Sequence, residues 1–138
     1  MKIRELEEAW LFLVCANPID AELISRAAES CNLKLVHIRS CAEFSGCLAV
    51  HRPAVVIAAK RLPDGDWRQI LWAGWDVVET PAMILLADHL SPKERYRART
   101  LDVAWILERP FDEISVIRSV LQARRRWSAE YSAGVGRC

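Results

Sequence analysis

Apolar residues in this chain come in short blocks. Between them lie stretches where apolar positions return every three to four residues. The first block, Trp10 to Cys15 (WLFLVC), reads as a strand. Asn17 then has the character of a helix N-cap, with Pro18 as the first helical residue and Asp20 in the first turn complementing the helix dipole. Leu23, Ile24, Ala27, Ala28 and Cys31 follow at helical spacing. Leu33 to Ile38 alternates as a second strand, with Leu33, Leu35 and His37 on one face. Ser40-Cys41-Ala42-Glu43 has the form of a capping box and predicts a short helix with Phe44, Cys47 and Leu48 inward.

Pro53 to Ala59 (PAVVIAA) is uniformly apolar, as a central strand covered on both faces would be. Leu62 to Asp66 (LPDGD) reads as a turn, with Asp64 and Asp66 as caps for a third helix from about Trp67 to Val78, weakened by Gly74. Ala82 to Ala87 is the fourth strand. Ser91-Pro92-Lys93-Glu94 joins a capping box to a first-turn proline, opening an arginine-rich, solvated helix. Val103 to Leu107 is the fifth strand. Phe111 to Trp127 is the last helix, with Ile114, Ile117, Val120 and Leu121 expected inward. Residues 1–127 form one expected domain, and 128–138 an expected disordered tail. Strict alternation of strand and helix implies a parallel sheet with helices on both faces. With right-handed crossovers, five strands give an α/β, flavodoxin-like (βα)5 three-layer sandwich with sheet order 2-1-3-4-5.

The charge balance narrows the partners. Nineteen Lys and Arg against eighteen Asp and Glu leave a net charge of +1, too little to drive the chain onto nucleic acid or an anionic membrane. No apolar run reaches the length of about 20 residues that spans a bilayer. Met1 to Glu8 alternates in charge and lacks the apolar core of a signal peptide, so a cytoplasmic location is expected. Five cysteines (Cys15, Cys31, Cys41, Cys47, Cys138) include no C-x-x-C pair and read as free thiols. A metal site would need Cys41, Cys47 and His51 to converge with a fourth ligand, at a spacing that matches no strong zinc pattern. The histidines are scattered, there is no Gly-rich phosphate loop, and no acid, base and nucleophile stand together. The expectation is a protein that is not an enzyme and needs no cofactor. Among six tryptophans, Trp72 and Trp75 share a helix face and Trp67 is offset from it; core packing and partner binding both remain open for them.

Three local motifs, in order, resemble the receiver domain of two-component response regulators. The segment Pro53 to Asp66 (PAVVIAAKRLPDGD) is similar to that family's proline-led strand ending in aspartate, followed by two residues and Leu/Met-Pro. Glu108-Arg109-Pro110-Phe111 is similar to the family's Lys-Pro-Phe, and Asn17-Pro18 to the start of its first helix. The resemblance covers Trp10 to about Arg126. It implies a site at the carboxyl ends of the strands, where an acidic pair helps hold Mg²⁺, an aspartate accepts phosphate, a Ser or Thr binds the phosphoryl group and a lysine bonds to it.

Carried over residue by residue, the acidic pair falls on Cys15 and Ala16, the phospho-acceptor on Ala59, the hydroxyl on Leu86 and the lysine on Arg109. The family's aromatic switch falls on Ile106, beside Trp105. Only the cation survives, changed in kind; one reading is an ion pair with Asp66, Asp88 or Glu108, and the other is a fixed internal tether or an anion site. The resemblance therefore implies a degenerate pseudo-receiver that signals through protein contact: with a kinase, regulator or effector, or with a second copy through the face of the fourth helix, fifth strand and fifth helix. Arg95, Arg99, Trp105 and Arg118 are the candidate contacts there. The alternatives are a receiver fragment of a larger transcriptional regulator and a small-ligand or flavin-binding flavodoxin-like module. At 138 residues, a receiver without an output domain beside it is expected.

Overall fold

The structure is a computed structural model that describes residues 9–77 and 79–135, with side chains to residue 129. The elements are β1 (Ala9–Val14), α1 (Pro18–Ser30), β2 (Leu33–Ile38), α2 (Cys41–Leu48), β3 (Val55–Ala59), a hairpin of β4 (Arg61–Leu62) and β5 (Gly65–Asp66), α3 (Trp67–Trp75), β6 (Ala82–Ala87), α4 (Pro92–Thr100), β7 (Trp105–Glu108) and α5 (Glu113–Val135). The five main strands lie in the order β2-β1-β3-β6-β7, all parallel. This is the expected flavodoxin-like sandwich.

The period-two alternation of the strands divides the core. Leu11, Leu13, Ile57 and Ile84 face α1 and α5, where they meet Ile24, Ala27, Val116 and Val120. Phe12, Val14, Val56 and Leu85 face the other way, against Phe44, Ile70 and Ala98. Phe12 and Phe44 meet edge to face, with ring centroids 6.1 Å apart.

Helix starts follow the caps. Asn17 Oδ1 accepts from the Ile19 and Asp20 N–H groups, and Pro18 opens α1. Ser91 and Glu94 form the full reciprocal box at α4. At Ser40 only the forward half forms, from the Glu43 N–H to the hydroxyl. The other α2 cap comes from a distance: the Asp64 carboxylate accepts from the Cys41 and Ala42 N–H groups at 2.8 and 3.1 Å. Asp64 therefore caps α2, and Asp66 alone caps α3, in a box with Gln69. The segment read as a simple turn is the β4–β5 hairpin that presents both carboxylates. Asn32 and Asp102 take left-handed φ values of 57° and 66° just beyond α1 and α4, a conformation their side chains tolerate.

Two boundaries and one face differ from expectation. Helix α3 ends at Trp75, because Gly74 weakens its last turn and Asp76 closes it; Val78 lies outside the described residues. Helix α5 runs to Val135, past the expected end at Trp127, since no proline or glycine interrupts it before Gly134. Its inward stripe is Val116, Ser119, Val120 and Ala123, while Ile114 and Leu121 are exposed. The 114-117-121 spacing and the 116-120-123 spacing are both helical stripes, and only docking on the sheet selects between them. The third-helix tryptophans divide: Trp67 is buried, and Trp72 and Trp75 are about half exposed.

Candidate functional site at the carboxyl edge of the sheet

All five positions implied by the resemblance lie along the carboxyl edge of β1, β3, β6 and β7. Ala59 ends β3 in register with Leu86 of β6, which in turn pairs with Leu107. Main-chain bonds fix the exits: Cys15 N–H to Ile38 O at 3.0 Å, Lys60 N–H to Leu86 O at 2.9 Å, and Arg109 N–H to Ala87 O at 3.1 Å. Cys15 and Leu86 are buried, Ala59 is partly buried against both halves of the core, and Ala16 is exposed. The edge is thus floored with carbon and sulfur.

Arg109 crosses this floor. Its guanidinium donates through one Nη to Asp20 of α1 and through Nε to Asp88, just after β6, and it lies 5.3 Å from the ring centroid of Phe111. Of the three partners the sequence offers, Asp88 is the one Arg109 takes. Asp66 is not: it pairs with Arg68. Nor is Glu108, which receives Arg95 and the Leu90 N–H. Asp20 is the missed partner. Its side chain is only 4% exposed, yet it lies 89 positions from Arg109, and its place in a first helical turn already accounts for an acid there. The two carboxylates push the guanidinium pKa further above its ordinary value, Asp20 most of all.

Burial pushes the Cys15 thiol up to about 11, and the Asp20 charge adds to the shift. Its sulfur lies 3.8 Å from His37 Nε2, which also contacts the Cys15 carbonyl oxygen at 2.8 Å. A hard divalent cation needs clustered oxygen donors. Cys15, Ala16 and Ala59 supply no side-chain oxygen, and the carboxylates of Asp20 and Asp88 are both held by a permanent cation. These residues do not fit Mg²⁺.

Among the described residues no group of three or more His, Cys, Asp and Glu side chains is arranged to hold a metal. His51 stacks on Trp10 with centroids 4.0 Å apart, whereas Cys41 faces Gln69. No described helix is long and apolar enough to cross a membrane.

The candidate interface residues divide as well. Arg95 is committed to Glu108, while Arg99 and Arg118 are exposed and Trp105 is 42% exposed at the outer strand β7. Three exposed apolar side chains join them: Tyr96 on α4, and Ile114 and Leu121 on α5. Sequence reasoning missed Tyr96 altogether and assigned the other two to the core. Ile106 packs partly against the α2–α4 half of the core.

Sheet order and helix placement give the flavodoxin-like fold that signal receiver domains share. Solved structures with this fold include the signal receiver domain of a putative LuxO repressor protein from Vibrio parahaemolyticus, with a TM-score of 0.83, 17% identity, and coverage of 92% of this chain and 98% of that one. A CheY-like response regulator receiver domain protein from Methanospirillum hungatei matches at TM-score 0.79 and 10% identity, over 90% and 99% of the two chains. The signal receiver domain of an HD domain-containing protein from Pseudomonas fluorescens matches at TM-score 0.79 and 18% identity, over 89% and 99%. No family model matches the sequence, and no curated protein matches it.

Proposed function

We propose that this chain is a pseudo-receiver: a signalling module that acts by protein contact, without aspartyl phosphorylation and without enzymatic activity of its own. One observation carries the reading. Where a receiver's chemistry calls for carboxylates around a metal and a nucleophile, Arg109 instead ties Asp20 to Asp88 across a floor made of Ala59, Leu86 and Cys15. The fold shared with signal receiver domains supports the signalling role. In this reading Arg109 is an internal tether that holds the start of α1 and the exits of β6 and β7 in one arrangement.

The partner-binding surface in this proposal is the α4–β7–α5 face, with Arg99, Trp105 and Arg118 joined by Tyr96, Ile114 and Leu121. Exposed aromatic and arginine side chains are the types enriched in interface hot spots. The flavin alternative loses ground at the first loop: Ala16-Asn17-Pro18 is spent on capping α1, with the Asn17 side chain already bonded to two N–H groups.

Incubating the protein with acetyl phosphate and Mg²⁺, then analysing the intact mass, tests the chemistry. The unmodified mass is expected, and an acid-labile gain of one phosphoryl group would overturn the proposal. Light scattering of the wild type and Trp105→Ala over a concentration series tests the homodimer on this face. A wild-type monomer at high concentration would reject that part.

A further inference from the structure

A concavity lies beside this edge, between α3 and α4, and the proposed function does not use it. Its volume is about 320 Å³, within the range of about 300–1,000 Å³ common to small-molecule sites. The apolar floor is Trp67, Leu85 and Leu90, all buried. Five cationic side chains and two acidic ones line the walls. Two of the cations are neutralised locally, Lys60 by Glu94 and Arg68 by Asp66.

That leaves Arg61, Lys93 and Arg97. Among the described residues none of the three takes part in an ion pair. Lys93 and Arg97 are four apart on α4 and so share a face. Arg61 comes from the β4 arm of the hairpin and lines the same cavity. Three unneutralised like charges around one concavity repel one another, and an anion bound among them relieves that repulsion.

We infer that this cleft binds a small phosphate-bearing anion. Guanidinium groups present forked donors that match phosphate oxygens, and a multiply charged group with several oxygens suits three exposed cations lining one cleft, where a single carboxylate would leave some unpaired. The volume suits a phosphate ester better than an extended peptide. The site is separate from Arg109, whose Nε and one Nη are bonded to Asp88 and Asp20. It stands whether or not the chain is phosphorylated. It also has a route to the sheet: Lys60 follows Ala59 directly and bonds through its N–H to Leu86.

The test is titration of the ¹⁵N-labelled full chain with sodium pyrophosphate, at ionic strength held constant with sodium chloride. Saturable shifts are expected at the Arg61, Lys93 and Arg97 amides and the Trp67 indole. The double variant Arg61→Gln/Arg97→Gln should weaken binding by at least about tenfold, with its fold verified by circular dichroism. Arg26→Gln, an exposed cation on α1, should leave binding unchanged. Parallel titrations with inorganic phosphate and with ADP separate the sources: tighter ADP binding at the same residues identifies a nucleotide, and equal or tighter binding of the inorganic anions identifies free phosphate. Non-saturable shifts, equal weakening by Arg26→Gln, or saturable binding of a polyglutamate peptide that pyrophosphate fails to displace would each overturn the inference.

Discussion

The carboxylate of Asp20, buried at the start of α1, is held by the guanidinium of Arg109 at the end of β7. Arg109 thereby fastens the first helix to the last strand across the mouth of the sheet. Removing one partner of such a pair leaves the other as an uncompensated buried charge, at a cost of about 3–5 kcal/mol when both are fully enclosed. Arg109 is 38% exposed, so solvent screening reduces this to about 1–2 kcal/mol for Arg109→Ala. Urea denaturation should show that loss. Asp20→Asn should recover part of it in the Arg109→Ala background, because the buried charge is then gone. If Arg109→Ala abolished partner binding at unchanged stability, Arg109 would be a contact residue instead of a tether.

Restoring the missing carboxylate should not restore phosphorylation. In Ala59→Asp the new side chain would still lack metal ligands at Cys15 and Ala16, and Leu86 would still offer no hydroxyl. Acetyl phosphate treatment followed by mass spectrometry should show no phosphoryl transfer. The variant should also melt below wild type, since Ala59 packs partly against both halves of the core and a carboxylate there is desolvated.

Two thiols should make the protein sensitive to alkali. Burial raises Cys15 from 9.0 to about 11, and burial together with Asp64 raises Cys41 from 9.0 to about 11. A raised folded value stabilises the fold fully below the unfolded pKa near 9, and the contribution is lost as pH climbs from there through about 11. Denaturation midpoints should therefore fall between pH 9 and 11, and Cys15→Ala should flatten that decline. At pH 7 both thiols should react slowly with a thiolate-selective reagent.

At the acidic end Glu94 is the group to follow. Its bonds to Lys60 and to the Ser91 N–H hold it down at about 2, from an ordinary value of 4.5. A lowered folded value gives stability above the unfolded pKa, and this is lost as pH falls from about 4.5 towards 2. Carboxyl resonances followed by NMR should place Glu94 near 2. Lys60→Met should move it back up towards its ordinary value.

The hairpin that caps two helices should be sensitive at its turn. A methyl group at Gly65 would overlap the Gln69 side-chain amide, which closes the α3 capping box by accepting from the Asp66 N–H. Gly65→Ala should displace Gln69 and cost about 1 kcal/mol. Asp64→Ala should instead release the Cys41 and Ala42 amides of α2, seen as faster hydrogen exchange at those two residues.

The sequence by itself determined the sheet order, the parallel arrangement and most helix starts. These rest on local chemistry: apolar runs such as VVIAA, caps such as Asn17 and Ser91, and short connections that leave few topologies. It also determined that Ala59, Cys15, Ala16 and Leu86 bring no oxygen to the carboxyl edge, because that follows from residue type alone. Tertiary structure decided the rest. Only docking on the sheet selected Val116, Val120 and Ala123 over Ile114 and Leu121 as the buried stripe of α5, since both stripes satisfy the helical period. Only chain folding brought Asp64 to the start of α2 and Asp20 to Arg109, across 23 and 89 positions. Those bonds depend on distance in space, and no local spacing encodes them.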